Sequence, residues 1–148
     1  MRQFKSMKKI LVVTSSRADY YLLRPLVLKL KMLKEFQLEI IVTGSHHLKN
    51  HGYTVKEIER DFLEYHSIKI LNSQTNSLAI QENLPHYLKK FLAFFNKSNP
   101  DLVILLGDRY EVFLAAIASL FNAIPIAHIH GGEVTHGAID DPMEAFNH

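Results

Sequence analysis

Two stretches of this sequence place charged groups where apolar runs stop. Leu105-Leu106 leads into Gly107-Asp108-Arg109, and Ile126-Ala127 leads into His128-Ile129-His130-Gly131-Gly132-Glu133. A carboxyl group walled by apolar helix and strand has its pKa raised by desolvation and becomes usable as acid or base. A guanidinium beside it offers a planar fork for phosphate or carboxylate oxygens. Asp108 is thus a candidate acid or base, and Arg109, His130 and Glu133 add a cation, an imidazole and a second acid to the same stretch. Asp108 has a second reading, as the N-cap of the helix that follows. His128 and His130 are two apart on an expected strand, so both rings should point to one face. Such a pair can bind zinc or can simply form hydrogen bonds at a strand end; with no third ligand in place, no metal site is expected. Gly131-Gly132 either lets a ligand approach the backbone closely or forms a turn.

Two more loops carry polar groups of the same kind. Thr14-Ser15-Ser16-Arg17-Ala18-Asp19 follows the first apolar run, where a dinucleotide fingerprint would sit. The glycines of G-x-G-x-x-G are missing there, which weighs against nicotinamide or flavin, and no cofactor is expected. Arg17 suits a phosphate or carboxylate, whereas Ser16 or Asp19 can cap the next helix, the reading that fits Asp19 taken alone. Gly44-Ser45-His46-His47-Leu48 can form a substrate-facing loop, with Ser45 and His46 as ligand contacts. An ordinary solvent-exposed loop accounts equally well for His47, His51 and His136. Asp140 and Asp141 add carboxylates further on.

The elements that must position these groups alternate short β-rich runs with longer helical ones, which points to βαβ units and a parallel sheet. Strands are expected over residues 10–13, 38–42, 67–71, 102–106 and 124–130. The first is continuously apolar, as when helices cover both faces. Leu22, Leu23, Leu26, Val27, Leu30 and Leu33 recur at helical spacing, with Pro25 tolerable only near the first turn. Thr54-Val55-Lys56-Glu57 reads as a capping box. A long amphipathic helix starts at Ser77 and is broken by Pro100-Asp101. The run from Val112 to Phe121 is apolar nearly all round and predicts a buried helix. The expected strand order is 3-2-1-4-5, which makes the first and fourth strands neighbours across the switch point, where ligands bind in open α/β sheets. The loop at Thr14–Asp19 then lies beside Gly107-Asp108-Arg109.

Composition limits the function classes. A chain of 148 residues suits one domain. Its 17 basic and 15 acidic residues are dispersed, so there is no polybasic footprint for nucleic acid. Without cysteine the chain has no disulfide or thiolate chemistry, which fits a reducing compartment. The apolar run after the basic first residues is too short for a signal sequence, and no segment approaches the ~20 apolar residues of a membrane span. A cytoplasmic protein is expected, without membrane or nucleic-acid partners.

At these residues the sequence resembles the UDP-N-acetylglucosamine 2-epimerase family. The resemblance is to its hydrolysing branch, which makes N-acetylmannosamine-type sugars for sialic, polysialic and legionaminic acid synthesis. The similar segments are Thr14-Ser15-Ser16-Arg17-Ala18-Asp19-Tyr20, Val42-Thr43-Gly44-Ser45-His46, Pro100-Asp101 through Arg109, Ile126-Ala127-His128-Ile129-His130-Gly131-Gly132-Glu133, and Gly137-Ala138-Ile139-Asp140-Asp141. They run in order along nearly the whole chain.

The resemblance implies a Rossmann-like, doubly wound α/β domain, the N-terminal half of a two-domain GT-B fold. Residues 1–148 correspond to that half alone, and the tail after Asp141 departs from the family pattern as a shortened product would. The implied substrate is a UDP-amino sugar, handled by UDP elimination, then water addition at C1 with inversion at C2. Arg17 and Arg109 are then candidates for the diphosphate, with Asp19, Ser45, His46 and His128 as further substrate contacts. Asp108 matches the acid/base residue of the family's Gly-Asp pair. The second family carboxylate falls at His130, so either His130 takes the role or Glu133 reaches in, and Asp140 matches a third with its spacing shifted by one. A homo-oligomer is implied for the full-length protein. The alternatives are a non-hydrolysing epimerase and a non-catalytic Rossmann-like fragment.

Overall fold

Continuous apolar runs need cover on both faces, and the chain supplies it by winding helices on either side of one parallel sheet. The computed structural model describes residues 7–48, 53–61, 63–70 and 77–131. In order these form β1 (Lys8–Thr14), α1 (Arg17–Met32), β2 (Phe36–Val42), a 3₁₀ turn (Gly44–His47), α2 (Val55–Arg60), β3 (His66–Ser67), α3 (Ser77–Ser98), β4 (Leu102–Leu106), α4 (Tyr110–Phe121) and β5 (Ile126–Ile129). The five strands are parallel in the order β3-β2-β1-β4-β5. That is the expected order, with the switch point between β1 and β4.

Successive strand residues feed different cores, which explains the unbroken apolar runs. Leu11, Val13, Ile41, Val103 and Leu105 pack under α3 and α4 with Phe91, Phe95 and Leu114. Ile10, Val12, Ile40, Val42, Ile104 and Leu106 pack under α1 and α2 with Leu23, Val27 and Ile58. Burying a side chain such as Phe91 contributes about 1.5–3 kcal/mol. The short α2 is held to α1 by charge as well: Asp61 accepts both Arg24 Nε and Nη2 at 2.6 Å and Tyr20 Oη at 2.5 Å.

Several expectations change in detail. Ser16 caps α1, so that helix begins well before Leu22 and Pro25 falls inside it rather than near its first turn. Pro25 and Tyr21 are both exposed, and solvent can serve the Tyr21 carbonyl that loses its helical donor. Thr54 makes no side-chain cap on α2, because its hydroxyl is bonded to His46 instead. β3 shrinks to two residues because β2, its pairing partner, ends at Val42; Ile68 is the last residue tied to it, donating to the Val42 carbonyl at 3.0 Å. α4 is enclosed over most of its length, but Leu120 and Phe121 in its final turn are 74% and 75% exposed. β5 stops at Ile129, and His130 turns out of the strand with φ 52.

Candidate functional site

The carboxyl ends of β1, β2, β4 and β5 form one rim, and among the described residues the turns there are braced by specific polar contacts. After β1 the chain passes directly into α1. Ser16 Oγ accepts the Asp19 amide at 3.2 Å, the reciprocal of Asp19 Oδ2 accepting Ser15 N at 3.2 Å and Ser15 Oγ at 2.6 Å. Ser16 is therefore the cap, and the Asp19 carboxylate braces the turn ahead of it rather than capping the helix itself. Arg17 opens α1 with an exposed side chain, its guanidinium 5.3 Å from the Tyr21 ring centroid and its Nε 3.2 Å from Glu57 of α2.

The turn after β2 is pressed against this one. Ser45 N and Oγ both donate to the Ser15 carbonyl, at 2.9 and 3.2 Å. Gly44 has φ +58, and a Cβ there would lie 2.5 Å from the Ser15 carbonyl oxygen and 2.8 Å from Glu111 Oε1. Only glycine satisfies both the left-handed backbone and that close approach. His46 is fully enclosed, with Nε2 2.9 Å from Thr14 Oγ1 and Nδ1 2.7 Å from Thr54 Oγ1. Burial, then the neighbouring His47 and the Arg109 cation, lower its pKa to about 4, so the ring is neutral at physiological pH. Burial also lowers the pKa of His47, whose Nε2 donates to the Val42 carbonyl at 3.2 Å.

On the other side of the switch point, Gly107 leaves β4 with φ +76 and open space around its Cα. His128 Nε2 donates to the Gly107 carbonyl at 2.6 Å, which puts that ring's proton on Nε2. Its ring occupies the space where a Cβ on Gly131 would fall, 2.5 Å from Nδ1. Asp108 is half-buried and does not cap α4: Arg109 is the N-cap residue, with extended backbone and no side-chain cap bond. Arg109 is about one third exposed, with Nε 3.9 Å from Glu111 Oε2. His130, left-handed and exposed beyond the end of β5, does not continue the strand's alternation, so the expectation that it shares a face with His128 fails. Among the described residues no group of three or more His, Asp or Glu side chains is arranged to hold a metal ion.

Arg17, Ser45, Asp108, Arg109 and His128 thus come to one rim, with Asp19 and His46 beneath it as braces. Glu133 and Asp140 lie outside the described residues, as do His51 and His136. One group that the sequence places on this rim beside Arg109 is found enclosed behind it, with no role assigned to it beforehand. Glu111 is wholly enclosed, touching the space over Gly44 and facing Arg109. Its signal was legible: it is the one acid in the apolar run Tyr110–Phe121. Chemically, guanidinium groups such as Arg17 and Arg109 suit an anion, and a carboxyl group such as Asp108 suits proton transfer.

Known proteins are similar to this chain in sequence and in fold. The family model described as UDP-N-acetylglucosamine 2-epimerase matches residues 28–143. The chain is 39% identical, over 93% of its length, to a protein of Campylobacter jejuni named GDP/UDP-N,N'-diacetylbacillosamine 2-epimerase (hydrolyzing), of which it covers 36%. It is 41% identical, over 91% of its length, to polysialic acid biosynthesis protein P7 of Escherichia coli, of which it covers 35%. In fold it is similar to the UDP-GlcNAc 2-epimerase of Neisseria meningitidis solved with UDP-GlcNAc bound, with TM-score 0.75 at 18% identity, covering 94% of this chain and 37% of that one. The chain therefore spans about a third of the length of the relatives it matches and belongs to the UDP-N-acetylglucosamine 2-epimerase family.

Proposed function

We propose that this chain is the N-terminal part of a hydrolysing UDP-acetamido-sugar 2-epimerase. The observation that carries this is Asp108 just after β4, next to Arg109, in the loop that neighbours the Ser15–Arg17 turn after β1 across the switch point. The relatives at 39% and 41% identity, one named as a hydrolysing 2-epimerase and one as a polysialic acid biosynthesis protein, support the branch and the substrate class.

In this reaction a base removes the C2 proton while the C1–O bond to UDP breaks. The electron pair forms a C1–C2 double bond and the diphosphate oxygen departs as an anion. Arg17 and Arg109 neutralise that oxygen's charge, which is the largest charge developing in the step. Water then adds at C1, and a proton returns to C2 on the opposite face. Asp108 serves as one acid/base group; His130 or Glu133 is the second, and Asp140 a third. Ser45 and His128 shape the floor on which the sugar rests. The chain spans only about a third of the length of these relatives, so the 148 residues alone are expected to turn over no substrate. The proposed setting is the cytoplasm, with a homo-oligomer as the assembled form.

The test is release of UDP from UDP-N-acetylglucosamine by the full-length protein, with the sugar product analysed. Free UDP and a free N-acetylmannosamine-type sugar are expected, and Asp108→Asn should slow release by at least ~100-fold. Recovery of UDP-N-acetylmannosamine would assign the non-hydrolysing reaction instead. Near-normal release by the variant would remove Asp108 from its role.

A further inference from the structure

One buried ring links three segments that the sequence separates. His46 sits in the 3₁₀ turn after β2, with Nε2 at Thr14 Oγ1, the last residue of β1, and Nδ1 at Thr54 Oγ1, just before α2. Thr14 Oγ1 also lies 3.5 Å from the Ser16 carbonyl oxygen. A carbonyl can only accept, so the Thr14 hydroxyl donates to Ser16 and accepts from His46. That places the ring proton on Nε2 and leaves Nδ1 to accept from the Thr54 hydroxyl. The line Thr54 to His46 to Thr14 to Ser16 is then fully satisfied by a neutral ring, as buried polar groups require. A second tie runs parallel to it on the surface, where Glu57 of α2 holds the Arg17 guanidinium at 3.2 Å.

We infer that His46 is a positioning residue which, through Thr14 and Ser16, couples the start of α2 to the turn that presents Arg17 to an anionic ligand. This rests on the proposal that Arg17 holds the substrate diphosphate. Contact between His46 itself and the substrate is not needed, since the ring is enclosed and both its nitrogens are engaged. The charged groups facing the ring are Arg109 from the start of α4 and His47 from its own turn, and both favour the neutral form that the line requires.

The experiment uses two amides that each copy one ring nitrogen. Glutamine at position 46 reaches the Nε2 site and can keep Thr14; asparagine reaches the Nδ1 site and can keep only Thr54. Ring nitrogen NMR on the chain should show a single Nε2–H tautomer from pH 5 to 8. In the full-length protein, H46N should raise the KM for UDP-N-acetylglucosamine by about tenfold with kcat changed far less, as loss of one positioning hydrogen bond implies. H46Q should recover most of that loss. T14V, which removes one hydroxyl with little change of shape, should reproduce H46N and carries the test should position 46 variants fail to fold. An Nδ1–H ring, a titration near the ordinary value of about 6.5, or equal KM losses for H46N and H46Q would overturn the inference. An Nε2–H ring with faster Arg17 amide exchange in T14V, in a protein that releases no UDP, would uphold the coupling and refute the substrate proposal.

Discussion

Gly44→Ala reports directly on how tightly the loops after β1 and β2 are joined. The native φ of +58 alone costs an L-residue about 1–2 kcal/mol. The added methyl would also sit 2.5 Å from the Ser15 carbonyl oxygen, which is backbone and cannot rotate away. Relief requires the two turns to separate, stretching the Ser45 N and Oγ bonds to that carbonyl, now 2.9 and 3.2 Å. Each such bond contributes about 0.5–1.5 kcal/mol, so the total loss is roughly 3 kcal/mol. For a chain of this size that corresponds to a Tm lowered by roughly 6–12 °C. Gly107→Ala is the internal control: its φ is +76, but nothing lies within 4 Å of an added Cβ, so only the ~1–2 kcal/mol of backbone strain applies. Urea and thermal unfolding followed by far-UV circular dichroism would compare the two. If Gly44→Ala proves no more destabilising than Gly107→Ala, the loops are not joined as described.

Lowering the pH should destabilise the fold through His46. Its folded pKa of about 4 lies below the unfolded value near 6.5, so the unfolded chain binds the extra proton. The contribution is complete above about pH 6.5 and falls away toward pH 4, by up to roughly 3 kcal/mol, in unfolding curves measured across that window; H46Q should flatten the slope. Asp61→Asn removes the forked pairing with Arg24 and the Tyr20 hydroxyl's acceptor, which should lower the urea unfolding midpoint, modestly because Arg24 is solvent-exposed. The Arg24 pairing holds the Asp61 carboxyl below its ordinary range, so this contribution persists at neutral pH and disappears as acid protonates it. Gly131→Ala should displace the His128 ring and break its bond to the Gly107 carbonyl, visible as loss of the slowly exchanging Nε2–H signal.

The period and length of apolar runs determined the secondary structure, because burial on both faces leaves a local mark. Residues 102–106 and Ser77 as a helix start were legible for that reason, as was the strand order, which right-handed βαβ crossovers restrict to few choices. The rim followed from that order together with the glycines that end each apolar run. What could not be read was which polar group each side chain would choose. Thr54 and Glu57 have capping-box spacing, yet the Thr54 hydroxyl goes to His46, whose position depends on where β2 ends. Asp108 has the composition of a cap, yet the backbone turns so that Arg109 occupies that place. His46 has the type of a ligand contact and becomes an enclosed link, while Glu111, one acid in an apolar helix, becomes a buried neighbour of Arg109. Local pattern decides which residues are buried, because that depends on spacing along the chain. Partner choice depends on contacts between segments distant in sequence, and only the packed sheet brings those together.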